Sequence, residues 1–243
     1  MSNFRFTKPD TFPPIVKNLI IINVLVFLAQ VTIGRQFNFT ERISLYPIMD
    51  AQLLEIAKNS PALQPYYGFA PYQIATHMFA HSPAMIFHIA FNMFGLWMFG
   101  RILENVWGPK RFLFFYLACG VGAAICHLLI QYIRCEQLLA AMLAHDPDWQ
   151  NMVGAVSPAL GASGAIMGIF AAFAYLFPNT ELYLYFIPIP IKAKWLVLGM
   201  AAYDLVIGVY GSDNVAHFAH LGGALTGFIL VLIWNKKNRR TFY

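Results

Sequence analysis

Six stretches of this chain are apolar, nearly free of charge, and close to the length that a helix needs to cross a bilayer. Crossing roughly 30 Å of hydrocarbon takes about 20 helical residues, with a range of 17–25. The stretches 18–34, 83–100, 112–133, 160–177, 195–210 and 215–234 meet or approach that length, and Asp204 is the one aspartate, glutamate, lysine or arginine among them. Inside lipid a backbone must bond to itself, which leaves helices as the way to cross for segments like these. The expected fold class is therefore all-α, a polytopic membrane protein with a six-transmembrane-helix bundle. Composition agrees: 59% of the 243 residues are hydrophobic and 11% are charged, against about a quarter charged in soluble domains.

The segments between the spans are uneven. Residues 35–81 form a long connection holding Pro47, Pro61, Pro65 and Pro71, in which 48–56 reads as a short interfacial helix. Residues 135–158 read as a polar connection whose apolar stretch 138–143 is too short to cross. Pro178, Pro188 and Pro190 mark a loop before the fifth span. No small-residue cleavage pattern follows the first apolar run, so it reads as an uncleaved span. The expected organisation is an N-terminal tail over 1–17, one membrane domain over 18–235, and a basic tail over 236–243.

Orientation follows from the lysines and arginines, which favour the cytoplasmic side. With the first residues inside, twelve of the sixteen fall inside: Arg5, Lys8, Lys17, Arg101, Lys110, Arg111, Lys192, Lys194, Lys236, Lys237, Arg239 and Arg240. Arg35, Arg42, Lys58 and Arg134 fall outside. Both termini are then cytoplasmic, and the net charge of +5 is explained without a nucleic-acid partner. Cys119, Cys126 and Cys135 show neither a pairing pattern nor metal spacing, and the first two read as small core side chains.

Polar residues gather at one depth. At about 1.5 Å per residue, Ser163 lies roughly 21 Å, His88 about 20 Å and His220 about 23 Å above the inner ends of their spans. Asn92 is one turn from His88 on the same face. Ionisable and amide side chains inside lipid are costly and turn toward the bundle interior or a wet cavity. A hydroxyl, an imidazole that can act as a base, and a further imidazole and amide able to donate form a set with assignable roles. The surroundings of Ser163 fit two uses. Gly161-Ala162-Ser163-Gly164 lets another backbone approach the hydroxyl and presents the first amides of a helix, while Gly161, Gly164 and Gly168 equally describe a close-packing face.

Taken together, His88-Ile89-Ala90-Phe91-Asn92, Gly161-Ala162-Ser163-Gly164 and Ala219-His220-Leu221-Gly222-Gly223 closely resemble the three signature motifs of rhomboid intramembrane serine proteases. The resemblance runs from about Thr76 into the sixth span. It includes Gly100-Arg101-Ile102-Leu103-Glu104 and Phe186-Ile187-Pro188-Ile189-Pro190. It implies that Ser163 is the nucleophile and His220 the general base, a dyad with no third carboxylate. It also implies an oxyanion site formed by the Ser163 N–H with His88 and Asn92, beside Gly161. The implied substrates are membrane-anchored proteins cut near helix ends, in the lipid bilayer, without a cofactor. The compact layout points to a bacterial cell membrane. Two positions depart from the family: Tyr72-Gln73 stands where a tryptophan–arginine pair is common, and Met167 where a tyrosine stacks on the base.

Other polar residues have plainer readings. His217 precedes His220 by three residues, but no H-E-x-x-H motif accompanies them, so no zinc site is expected. His77 and His81 match family positions that the resemblance implies are structural, and His127 reads as a polar packing group in the third span. Asp204 reads as a buried, hydrogen-bonded or protonated partner, and Glu104 as a group that pins the inner end of its span. Gly223 and Gly227 form a small-residue face that would bring spans four and six together. Two competing functions share these residues: a catalytically silent relative that binds membrane clients, and a small-solute transporter using His88, Asn92 and Asp204.

Overall fold

The computed structural model describes residues 9–60, 68–153, 156–184, 187–210 and 216–238. Helix α1 (Pro14–Thr32) opens on a proline at its first position and leads into two short helices, α2 (Gly34–Phe37) and α3 (Phe39–Ile43). The amphipathic α4 (Ala51–Asn59) is capped by Asp50, whose carboxylate accepts from Gln52 N at 2.7 Å. Helix α5 (Gln73–Thr76) and a 3-10 turn (His77–Phe79) lead into α6 (Ile86–Gly95). A π-helical stretch (Leu96–Gly100) joins α6 to α7 (Arg101–Trp107), giving one crossing of 22 residues. Then follow α8 (Pro109–Leu143), the short α9 (Trp149–Val153) and α10 (Ser163–Leu176). An antiparallel hairpin, β1 (Glu181–Leu184) with β2 (Ile187–Lys192), precedes α11 (Ala193–Tyr210) and α12 (His217–Asn238).

Among the described residues, five helices have the length and hydropathy to cross a membrane, and the 14-residue α10 is the shorter sixth member. Their outward faces are apolar: Leu25, Phe91, Leu129, Leu205 and Leu225 are each at least half exposed. Lipid satisfies that surface and water does not. The chain is an integral membrane protein, and its fold class is the all-α bundle expected. The half next to Lys110 and Arg111 is filled by aromatic rings, with Phe112, Phe115 and Tyr116 fully buried and Phe99 edge-on to Phe170 and Phe173. At this end Arg101 lies 4.3 Å over Trp97 and Arg111 lies 4.1 Å over Trp234. Such cation–ring pairs suit a membrane–water boundary.

Glu104 pins α1. Its buried carboxylate accepts from the backbone N–H of Ile15 at 2.9 Å and of Val16 at 2.8 Å, two amides that a helix start leaves without carbonyl partners. The expected pinning role is present, directed at a neighbouring helix.

Three expectations are corrected. The connection 135–158 is helical in its first part, because α8 continues to Leu143. Leu138 and Leu139 pack there with Leu53 and Ala57 of α4 and with Val156, forming a satellite core beside the bundle. The proline-marked loop contains the hairpin, since a two-stranded ribbon consists of edge strands, which tolerate proline. The fourth span begins its helix at Ser163, after Gly161 takes a positive φ of 127°. Arg5, Lys8, Pro61, Pro65, Phe186, Val215, Arg239 and Arg240 lie outside the described residues.

Candidate active site

The loop before α10 is fixed from two sides. Leu45 and Ala159 exchange backbone hydrogen bonds of 2.8 and 2.9 Å, and Gly161 N donates to the His77 carbonyl at 2.9 Å. At its φ of 127° an L side chain is strained, and a Cβ on Gly161 would come within 2.8 Å of His88 Nε2. Glycine is required there on both counts. The turn delivers Ser163 as the first residue of α10, half-buried, with its backbone N–H among those that have no carbonyl acceptor within the helix.

His220 comes from the second turn of α12, and its Nε2 lies 2.8 Å from Ser163 Oγ. Glycine seams set that distance. A Cβ on Gly223 would overlap the Gly164 carbonyl, and one on Gly227 would meet Gly168 Cα at 2.6 Å. Helix α8 joins the seam, since a Cβ on Gly222 would come within 2.8 Å of the Gly122 carbonyl oxygen. The small-residue face read from the sequence is the contact that lets Ser163 and His220 meet.

His88 and Asn92 project from α6 into the same cavity as Ser163 and His220. His88 Nδ1 accepts from Ser82 N–H at 3.4 Å, which leaves Nε2, the nitrogen facing Gly161, as the protonated one. Asn92 Nδ2 donates to the His88 carbonyl at 2.8 Å. Behind His88 stands His81, ring to ring at 5.1 Å. Gln30 of α1 grips His81 through a reciprocal pair of hydrogen bonds, Nε2 to His81 O at 2.9 Å and His81 N to Oε1 at 3.0 Å. His77 and His81 are thus buried scaffolding. Burial lowers each imidazole from 6.5 to about 4, so both stay neutral. The cavity encloses about 490 Å³, and Phe87, Phe91, Met167, Phe170, Met200 and Tyr203 give it an apolar wall.

The expectation that no carboxylate stands near His220 is corrected. Asp204, buried on α11, places Oδ1 3.1 Å from His220 Nδ1 and 2.6 Å from His217 Nδ1. The sixth span holds no acid, but the fifth one does. The three residues offer ligand atoms within 4.8 Å of one another, a set able to hold a divalent metal. In this structure both imidazoles address the carboxylate.

The two departures from the family pattern have physical roles. Buried Gln73 accepts from Tyr46 N and Ala70 N at 3.2 Å and donates to the Arg42 carbonyl at 3.3 Å, tying the long first connection together. Met167 is buried against Ala171 and Ala224 and forms part of the cavity wall. His127 is buried within α8, away from the cavity lining.

Comparison with known proteins bears on the whole arrangement. Residues 69–237 match the family described as Rhomboid domain. The chain is 34% identical over 160 residues to RHOMBOID-like protein 12, mitochondrial, of Arabidopsis thaliana, covering 64% of this chain and 44% of that protein. It is 28% identical over 167 residues to Rhomboid protein 1, mitochondrial, of Saccharomyces cerevisiae, covering 69% and 43%. It is 32% identical over 160 residues to the human Presenilin-associated rhomboid-like protein, mitochondrial, covering 63% and 37%. The matched stretch spans less than half the length of each of these relatives.

Proposed function

The chain belongs to the rhomboid family, and on that footing we propose that it is an intramembrane serine endopeptidase cutting membrane-anchored proteins near the outer end of their transmembrane helix. The observation that carries this reading is the 2.8 Å approach of His220 Nε2 to Ser163 Oγ between two different helices. A serine hydroxyl is a weak nucleophile until a base within hydrogen-bond reach takes its proton.

The chemistry runs as acyl transfer. Ser163 Oγ attacks the scissile carbonyl carbon while its proton passes to His220 Nε2. The tetrahedral oxyanion is met by the Ser163 N–H, His88 Nε2–H and the Asn92 amide, donors already in place before charge develops. His220 then protonates the leaving amine, and the bond to nitrogen breaks. Water, activated by the same imidazole, hydrolyses the acyl-enzyme and restores Ser163. The His220 side chain keeps 19% of its surface exposed, which leaves it reachable by that water. The apolar cavity wall suits residues drawn from an unwinding transmembrane helix.

A fluorophosphonate probe tests the reading on the full chain in liposomes. Wild type should label, Ser163→Ala should not, and cleavage of a fluorescent transmembrane substrate should vanish with the label. Unlabelled, non-cleaving wild type would instead favour the client-binding alternative. A transporter should tolerate Ser163→Ala.

The expected bacterial cell membrane runs against these relatives, which are mitochondrial by name. We place both termini on one side, the side rich in lysine and arginine.

A further inference from the structure

Resting on the protease reading, we propose that Asp204 is a positioning residue that fixes the tautomer and direction of His220, completing a carboxylate–imidazole–hydroxyl relay from three helices. The geometry is sequential: Asp204 Oδ1 to His220 Nδ1 at 3.1 Å, then His220 Nε2 to Ser163 Oγ at 2.8 Å. A neutral imidazole carries one proton on one of its two nitrogens, and the partner at one nitrogen decides the state of the other. A carboxylate is an acceptor, so it holds the proton on Nδ1. Nε2 is then the lone-pair nitrogen, facing the serine hydroxyl as a base must.

The setting argues that this contact is built rather than incidental. A carboxylate within a membrane span is costly unless it is met by donors or neutralised. Asp204 is 5% exposed, and the same Oδ1 also accepts a hydrogen bond from His217 Nδ1–H at 2.6 Å. His217 is itself buried, with Tyr203 edge-on to its ring at 5.9 Å. His217 therefore anchors the carboxylate, and the carboxylate aims His220. Helix α11 is tied down one turn beyond Asp204 as well. Arg134 of α8 donates to the Gly208 carbonyl at 2.6 Å and lies over the Phe218 ring of α12.

The deciding experiment compares wild type with Asp204→Asn, full chain in detergent micelles, by two readouts. Histidine-selective nitrogen NMR reports the tautomer of His220 whether or not any substrate is cut. Wild type should show the proton on Nδ1, and Asp204→Asn should lose that preference, because an amide N–H can face Nδ1 in place of an acceptor. Cleavage kinetics should show kcat lower by about 10²–10⁴-fold, as when a comparable orienting acid is neutralised, with KM within about threefold. A wild-type His220 protonated on Nε2 overturns the inference, even if the variant fails to fold. So does a variant with kcat within about threefold of wild type. Wild type carrying the Nδ1 proton yet cutting and labelling nothing leaves the relay standing and removes the protease reading instead.

Discussion

Gly223 of α12 faces Gly164 of α10 so closely that a methyl group on the former would overlap the carbonyl of the latter. That contact joins the residue next to Ser163 to one three residues after His220. Gly223→Ala must push the helices apart, and overpacking of this kind costs roughly 1–3 kcal/mol. A shift of about 1 Å at a reacting pair can cost 10²-fold in rate. We expect cleavage to fall by about that factor, with a lowered detergent melt. Gly199→Ala, on an open face of α11 with nothing within 4 Å, is the control and should leave turnover unchanged.

His88 and Asn92 separate chemistry from folding. Each lines the cavity, and the removal of one oxyanion donor elsewhere costs about 10²–10³-fold in kcat. His88→Ala and Asn92→Ala should each lose turnover on that scale while fluorophosphonate-independent thermal melts stay near wild type. A collapsed melt with normal turnover of the surviving fraction would make either residue a packing group.

Glu104→Ala should behave in the opposite way. It removes the acceptor of two amides at the start of α1, at 2.9 and 2.8 Å. Hydrogen bonds to a charged group contribute roughly 1.5–3 kcal/mol. The melt should drop accordingly, while specific activity at low temperature is retained.

Acid should weaken the fold through His77 and His81. Their folded values near 4 lie below the 6.5 of the unfolded chain, so the unfolded state takes up protons first as pH falls. Stability is full above about 6.5, declines toward 4, and levels off where the folded chain protonates too. Each ring contributes about 3 kcal/mol over that window. Melts followed from pH 7 to 4 should show this slope, and His81→Phe should reduce it. An unchanged slope in that variant would assign the acid sensitivity to other groups.

Much of this was readable from residues alone. Ser163, His88 and His220 sit in helices whose ends are marked by charge or proline, so counting rise placed them in one layer. The glycines at 164, 168, 223 and 227 announced which helices would touch. The link from Asp204 to His220 was not readable, because it depends on how α11 is seated against α12, and no periodicity encodes that. The extension of α8 escaped for a different reason. Hydropathy marks where lipid ends, whereas a helix ends where its backbone finds another partner, and beyond Arg134 the satellite core with α4 keeps it wound. Gln73 shows a third limit: one amide with four backbone partners in reach replaces a pair of larger side chains, and composition does not reveal such a substitution.

The glycine seam joins α10 to α12 directly, whereas Asp204 arrives on a rod outside that seam. Ser163 and His220 are therefore joined as one machined part, and Asp204 is a separate third leg. On the proposed reading, whether the pair has two legs or three is decided by a single side chain on a neighbouring strut, so the third can be changed without disturbing the joint that brings His220 to Ser163.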